Sequence, residues 1–182
     1  MNRNNIFIYG VPGVGKTYTS KELQKQTGYE TIELDFLRKK AQEGKTIETN
    51  PFVFLGTTEA YKAFGEPSEN NIIKGLIKVR EVLFPYIKYY LSNYAENYIA
   101  EAAFVSPQYA LEKGIPILLV ESNLTTHRKQ FFANRNNTKE MEISFSVSRI
   151  IQKYLKKEAE SLNIKIYESD SNPAIEIHRL LI

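Results

Sequence analysis

Five short apolar runs, most of them separated by helical patterns, set the organisation of the chain. Runs of this length that are rich in β-branched and aromatic residues predict buried β-strands. Because helical segments alternate with them, the pattern predicts an α/β fold of three layers, in which helices cover both faces of a parallel sheet. The predicted strands are residues 6–9, 31–34, 98–104, 115–122 and 164–169.

The segment between the second and third predicted strands breaks this alternation. Apolar residues recur there at three- and four-residue intervals from Ile72 to Tyr94, which predicts a long amphipathic helix. Pro85 falls within the pattern and is expected to kink the helix or to start a new one. We therefore expect residues 45–95 to form a helical insertion in a single domain that spans residues 1–182, although ordinary connecting structure would fit the same pattern.

Composition narrows the classes of function. The chain has 182 residues, a formal net charge of +3, no cysteine and two histidines. The modest charge predicts no nucleic-acid partner, since such proteins carry dense basic surfaces, and the lack of cysteine excludes disulfides and thiolate chemistry. The histidines, His127 and His178, are too few and too far apart to predict a histidine metal site. No apolar run approaches the ~20 residues of a membrane helix, so we expect a cytoplasmic protein without a membrane partner.

One stretch near the amino end matches a specific motif. Residues 10–17, "GVPGVGKT", fit the pattern G-x-x-x-x-G-K-[ST], with the strand before and the helix after that the motif requires. Its glycines allow a tight turn that directs several backbone N–H groups, together with the helix dipole, at one anion. The loop therefore predicts a nucleoside triphosphate site.

The side chains of the motif indicate how ATP and Mg²⁺ would bind. The Lys16 ammonium is expected to bridge the β- and γ-phosphates and to act in catalysis, and the Thr17 hydroxyl is expected to be a ligand of Mg²⁺. A glycine-rich turn without a ligand is the alternative, and the flanking strand and helix weigh against it. The predicted nucleotide-binding residues are Gly10, Gly13, Val14, Gly15, Lys16, Thr17 and Tyr18.

The ends of the other strands help to distinguish a kinase from a switch protein. Motor and switch ATPases normally have an apolar strand that ends in aspartate, whereas the third and fourth predicted strands carry Glu101 and Glu121. No N-K-x-D sequence is present, which argues against a familiar type of GTPase. Because a carboxylate inside a buried strand is costly, we expect Glu101 to lie at the open end of the sheet, near the metal or the acceptor.

A carboxylate follows the second predicted strand. Ligands gather at the carboxyl ends of parallel strands, so Asp35 is expected to face the same crevice as the loop. There it can orient an acceptor hydroxyl, take its proton or hold metal waters. An N-cap role for the helix that starts at Phe36 is the alternative, and both roles are compatible. Arg38, one turn later, is expected either to bind an anionic acceptor or to be a surface arginine.

Three arginines lie in and around a polar tip, residues 134–140. Arg128 and Arg135 are seven residues apart, so they would share one face of a helix, and Arg149 follows the tip. Such a helix–tip–helix segment predicts a lid over residues 124–149 that excludes water and brings positive charge to the transferring phosphoryl group. A solvated charged face is the alternative. We expect Arg128 and Arg135 to be catalytic, and Arg149 to bind the substrate together with Asp35, Arg38 and Glu101.

Taken together, these residues resemble a small P-loop kinase of the nucleoside monophosphate kinase class, and within that class the 2-phosphoglycerate kinase-like proteins. The resemblance spans most of the chain. It rests on the loop and on four further stretches, "DFLR" at 35–38, "IAEAAFVSP" at 99–107, "ESNLTTHRKQFFANR" at 121–135 and "SRIIQKYLKKEAESLNIKIYES" at 148–169.

The resemblance implies a P-loop NTPase fold with strand order 2-3-1-4-5. It also implies that ATP and Mg²⁺ lie over the loop, that the acceptor enters between the insertion and the lid, and that Asp35 acts on the acceptor group. Backbone groups of residues 169–173 would line the adenine site.

The expected activity is ATP-dependent transfer of the γ-phosphoryl group to a small anionic acceptor, with 2-phosphoglycerate as the specific candidate. Two alternatives stay open. A nucleotide-dependent switch ATPase is less favoured, because the strand-end aspartate is missing. A nucleoside or nucleotide kinase would use aromatic rings of the insertion to stack a base, unless those rings only pack in the core. The rings are Phe52, Phe54, Tyr61 and Phe64.

Overall fold

A computed structural model describes residues 4–94 and 96–181 of the chain. Five strands form one sheet in which all neighbours are parallel. They are β1 (Ile6–Tyr9), β2 (Glu30–Glu33), β3 (Tyr98–Glu101), β4 (Ile115–Val120) and β5 (Lys165–Glu168). Their order across the sheet is β2-β3-β1-β4-β5, which confirms the order implied by the resemblance.

Strand β1 lies at the centre of the sheet and is completely buried, as its apolar sequence requires. Ile8 is level with Glu101 of β3 on one side and with Ile117 of β4 on the other. The strands β1 and β3 therefore end side by side, and the loop that follows β1 starts next to the carboxylate that ends β3. This register places the predicted site residues at one edge of the sheet.

Eight helices and one short 3₁₀ helix, Ala60–Phe64, surround the sheet within the described residues. On one face, the ring of Phe7 in β1 meets the edge of Tyr109, which in turn contacts Phe84. The helices are α1 (Lys16–Thr27), α2 (Phe36–Gln42), α3 (Pro51–Phe54), α4 (Glu69–Ser92), α5 (Pro107–Lys113), α6 (Leu124–Phe132), α7 (Lys139–Ser161) and α8 (Pro173–His178).

The segment between β2 and β3 is helical, and its long helix α4 is continuous. The sequence predicted a kink or a new helix start at Pro85, and no new helix starts there, because one helix of 24 residues runs through this proline. Pro85 is on the exposed side, where water can satisfy the carbonyl that a proline leaves without an N–H partner. The buried side of α4 keeps its apolar residues in the core. Residue 95, at the end of the predicted insertion, and residues 1–3 and 182 of the predicted domain lie outside the described residues.

The insertion packs closely upon itself. A Cβ atom added at Gly75 of α4 would lie 2.7 Å from the backbone of Ala60 and Tyr61, so only glycine allows the 3₁₀ helix to approach α4 this closely. Residues 134–140 are exposed, as predicted, and connect α6 with the start of α7. No helix among residues 4–94 and 96–181 is long and apolar enough to span a membrane.

Candidate active site

The loop of residues 10–17 connects β1 to α1 and is held between β4 and α6. Gly10 and Gly13 both have positive φ angles, +154° and +85°. A Cβ atom at Gly10 would lie 2.3 Å from the carbonyl oxygen of Leu119, and one at Gly13 would lie 2.8 Å from the Cα atom of Phe131. Glycine is therefore needed at both positions for the backbone to fit against its neighbours, and helix α6 rests directly on the loop.

Lys16 begins helix α1 and turns back over the loop. Its Nζ atom donates a hydrogen bond of 3.2 Å to the carbonyl oxygen of Val11. Burial lowers the pKa of Lys16, while the carboxylates of Glu101 and Asp35 oppose that shift. The ammonium group is therefore close enough to both carboxylates to be affected by their charge. It belongs to the first turn of α1, where unpaired N–H groups attract an anion.

Thr17 and Glu101 form the part of the site that suits a metal ion. The Thr17 Oγ1 atom donates a hydrogen bond of 2.5 Å to Oε1 of Glu101. Glu101 is only 3% exposed; burial raises its pKa, while Lys16 and Thr17 oppose the rise. Hydroxyl and carboxylate oxygens are the ligand types that Mg²⁺ prefers. Among the described residues, no three or more His, Asp or Glu side chains are grouped so that they could hold a metal ion.

A cavity of about 640 Å³ opens beside the loop at the carboxyl edge of the sheet. Predicted residues from separate elements meet in its wall: Lys16 and Thr17 from the loop and α1, Asp35 and Arg38 from the start of α2, and Arg135 from beyond α6. The predicted site residues did not include eight further residues of the wall, which are Pro12, Lys39, Gln42, Gly56, Thr57, Thr58, Ala103 and Phe104.

Asp35 occupies the N-cap position of α2, but its side chain makes no capping hydrogen bond. The carboxylate is exposed and lines the cavity. The N-cap interpretation is thus not realised in the structure, and the carboxylate remains available to a bound molecule.

Arg38 connects α2 to the insertion as well as lining the cavity. Its Nη2 atom donates a hydrogen bond of 2.7 Å to the carbonyl oxygen of Phe54, and Gln42 donates one of 2.8 Å to the carbonyl of Val53. Burial lowers the pKa of Arg38, against the opposing effect of Asp35. The two side chains of α2 therefore fix α3, and with it the loop at residues 56–58 that forms the far wall.

The structure separates Arg128 from Arg135. Arg135 lines the cavity with its guanidinium 4.5 Å from the ring centre of Phe131. Arg128 is exposed, forms an ion pair with Glu142 of α7 and lies 4.9 Å above the ring of Phe132. The seven-residue spacing predicted a shared face, but α6 ends at Phe132, so Arg135 lies beyond the helix and points elsewhere.

Among the remaining predicted residues, Arg149 and Val14 are not part of the cavity wall, whereas Tyr18 is. Arg149, predicted to bind substrate, does not line the cavity; its guanidinium donates to the carbonyl oxygens of Glu121 at 2.6 Å and Ser122 at 3.3 Å. Val14 belongs to the loop, and its side chain is buried. Tyr18 is 69% exposed at the mouth of the cavity.

The four aromatic rings predicted as a stacking surface for a base pack against other side chains of the fold. The ring of Phe52 stacks on that of Phe64, with centres 5.5 Å apart, and Tyr61 is buried. Neither these rings nor Phe54 belong to the cavity wall. The one phenylalanine in that wall is Phe104, which follows β3.

Comparison with known proteins shows the fold. The superposition on shikimate kinase from Acinetobacter baumannii covers 98% of this chain and 92% of that protein, with a TM-score of 0.57 and 16% sequence identity. The superposition on shikimate kinase from Bacteroides thetaiotaomicron covers 98% of this chain and 96% of that protein, with a TM-score of 0.54 and 16% sequence identity. The superposition on deoxyadenosine kinase from M. mycoides covers 97% of this chain and 96% of that protein, with a TM-score of 0.50 and 15% sequence identity. The chain thus has the P-loop kinase fold.

Sequence comparison gives a more limited result. No protein-family model matches the chain. A segment of 82 residues is 34% identical to mevalonate-3-phosphate 5-kinase from Thermoplasma acidophilum, and the match covers 42% of this chain and 38% of that protein. The comparisons therefore show the P-loop kinase fold and leave the acceptor open.

Proposed function

We propose that the protein is an ATP-dependent kinase that transfers the γ-phosphoryl group to a small anionic acceptor, with 2-phosphoglycerate as the specific candidate. One observation supports this above all. The carboxylate of Asp35 makes no helix-cap bond and shares a cavity with Lys16 and Thr17 of the phosphate-binding loop. A loop for the donor and a carboxylate for an acceptor hydroxyl in one cavity are what phosphoryl transfer needs.

On the donor side, the loop of residues 10–17 would hold the phosphates of ATP through its backbone N–H groups and Lys16. Mg²⁺ would bind near the Thr17 hydroxyl, with Glu101 as the carboxylate that holds its water ligands. When bound, the metal neutralises charge on the phosphates. The 2.5 Å hydrogen bond between Thr17 and Glu101 keeps both oxygen groups at this place.

On the acceptor side, three cations and one carboxylate line the cavity. Arg38, Lys39 and Arg135 give this part of the wall a positive charge that exceeds the negative charge of Asp35. A guanidinium group pairs well with a carboxylate or phosphate, so an acceptor with an anionic group fits better than a neutral sugar. Thr57 and Thr58 add hydroxyl groups that can bind further oxygens of the acceptor.

In the proposed reaction, Asp35 accepts the proton of the acceptor hydroxyl, and Lys16 and Arg135 stabilise charge on the transferred group. Residues 124–149 would act as the lid. Because α6 rests on the loop at Gly13, we assign closing motion to the exposed residues 134–140. Arg128 can reach the phosphates only when its ion pair with Glu142 opens.

A coupled assay of ADP release tests the proposal over a panel of phosphoglycerates, nucleosides, nucleoside monophosphates, shikimate and mevalonate-3-phosphate. At least one anionic acceptor should stimulate ADP release well above hydrolysis without acceptor. Asp35→Asn should keep ATP binding but lose transfer by about 10²–10⁴-fold. Glu43→Gln, at the other end of α2 and exposed, is the matched control and should keep full activity. Near-normal turnover in Asp35→Asn, or no stimulation by any compound, would contradict the proposal.

A nucleoside or nucleotide kinase is the second candidate, because deoxyadenosine kinase from M. mycoides has the same fold, with a TM-score of 0.50. Phe104 lies in the cavity wall but is only 2% exposed, so it offers little ring surface for stacking on a base. The same panel separates the two candidates. Stimulation by a nucleoside or its monophosphate alone would select the second, and stimulation by a phosphoglycerate alone would select the first.

A further inference from the structure

A buried histidine contacts the phosphate-binding loop and is not part of the cavity wall. His127 of α6 is 0% exposed. One of its ring nitrogens, Nε2, is 2.9 Å from the carbonyl oxygen of Pro12 in the loop. The other, Nδ1, is 3.1 Å from Nη1 of Arg149 in α7. The imidazole thus connects the loop to an arginine that is itself bonded to the backbone after β4, at Glu121 and Ser122.

These contacts determine the protonation of the ring. Arginine has only donor groups, so Nδ1 must accept the hydrogen bond from Arg149. The proton of a neutral ring is then on Nε2, which donates to the Pro12 carbonyl. The neutral Nε2–H form is the one protonation state that makes both bonds. Its surroundings are the aromatic rings of Phe131 and Phe145.

Charged groups from three parts of the fold face this ring. Burial lowers the pKa of His127 from its ordinary value of 6.5; Arg149 and Lys16 lower it further, while the Pro12 carbonyl and Glu121 oppose the shift. The neutral ring is therefore the form present at physiological pH, in agreement with the hydrogen bonds.

We infer that His127 is a positioning residue of the nucleotide site, which holds the Pro12 carbonyl so that the N–H groups of Gly13 to Gly15 stay directed at the triphosphate. Arg149 acts through the ring and orients it. This gives Arg149 a role that does not require contact with substrate. The identity of the ligand as MgATP rests on the proposed function, whereas the hydrogen-bonded chain itself does not.

The two hydrogen bonds of His127 predict the direction in which affinity for MgATP changes with pH. When pH falls through the pKa of His127, the ring gains a proton at Nδ1, which then points a donor at the donor group of Arg149. The bond is lost and the loop loses its support, so affinity for MgATP should fall. Simple charge attraction would give the opposite result, because an imidazolium group near the loop would strengthen binding of a polyphosphate.

Binding of MgATP, measured by calorimetry from pH 5 to 8, tests the inference with two variants. His127→Phe keeps a ring against Phe131 and Phe145 but makes neither hydrogen bond, so its Kd should be about tenfold higher than wild type at pH 7.5. His127→Gln has a donor and an acceptor in its amide, so it should recover part of the affinity for MgATP. Because the amide does not titrate, its affinity at low pH should fall only as far as protonation of MgATP itself requires. His178→Gln is the matched control and should behave as wild type does.

An ¹⁵N NMR spectrum of the imidazoles adds a readout that is independent of ligand, and the two histidines of the chain make it simple to assign. It should show His127 neutral with its proton on Nε2 at pH 7. An Nδ1–H form, a charged ring, equal affinity of His127→Phe and wild type, or tighter binding as the pH falls would each overturn the inference. If wild type itself does not bind MgATP, the proposed function fails, and the NMR result still decides the protonation state.

Discussion

Replacing Gly13 by alanine tests whether helix α6 is docked on the phosphate-binding loop. The residue has a φ angle of +85°, and a left-handed backbone costs a non-glycine residue roughly 1–2 kcal/mol. The new methyl group would also lie 2.8 Å from the Cα atom and 2.9 Å from the backbone nitrogen of Phe131. Backbone atoms cannot move aside as a flexible side chain can, and such overpacking adds about 1–3 kcal/mol.

Gly44→Ala separates the two costs. Gly44 has a φ angle of +69°, but nothing lies within 4 Å of a Cβ atom there, so this variant has the backbone strain without the contact. Thermal unfolding of both variants should give a lower Tm for Gly13→Ala, by about 2–10 °C relative to Gly44→Ala. MgATP binding should fall only in Gly13→Ala. Equal Tm values for the two variants would show that α6 does not rest on the loop as described.

Two further predictions concern buried charges. Arg80 and Glu158 form an ion pair between α4 and α7, with side chains 9% and 12% exposed. Arg80→Met should lower the free energy of unfolding in urea by about 3–5 kcal/mol, and adding Glu158→Leu should restore most of it, because the loss comes from the unpaired carboxylate. Burial raises the pKa of Glu101, so its ionisation opposes folding as pH rises through that pKa. Glu101→Gln should therefore unfold less readily than wild type at pH 7, yet lose about 10–100-fold in Mg²⁺-dependent activity; lower stability would contradict this reasoning.

The parts of the site that follow from local rules were accessible from the sequence. The loop of residues 10–17 is a contiguous motif whose glycines and flanking elements define its shape. Asp35 was expected in the crevice because parallel strands end at one edge of the sheet, and the structure places it in the cavity wall. Glu101 was expected at the open end of its strand, and it lies there beside Thr17.

The parts that depend on tertiary contacts were not accessible. The pairing of Arg128 with Arg135 assumed a helix that continues past residue 132, and helix ends are hard to place when no glycine or proline marks them. Arg149 was assigned to substrate, but its bonds are to backbone carbonyls that only the folded chain brings near it. The threonines at 57 and 58 lie in a loop without periodicity, so their place in the cavity wall had no signal in the sequence.

The proposed function depends on binding of a nucleoside triphosphate by the loop after β1. Equilibrium dialysis with labelled ATP and Mg²⁺ measures this directly, with Lys16→Ala as the variant that removes the phosphate-binding ammonium. We expect saturable binding of one ATP per chain by wild type and a large loss of affinity in Lys16→Ala. No retention of ATP by wild type, or equal retention by both proteins, would contradict it.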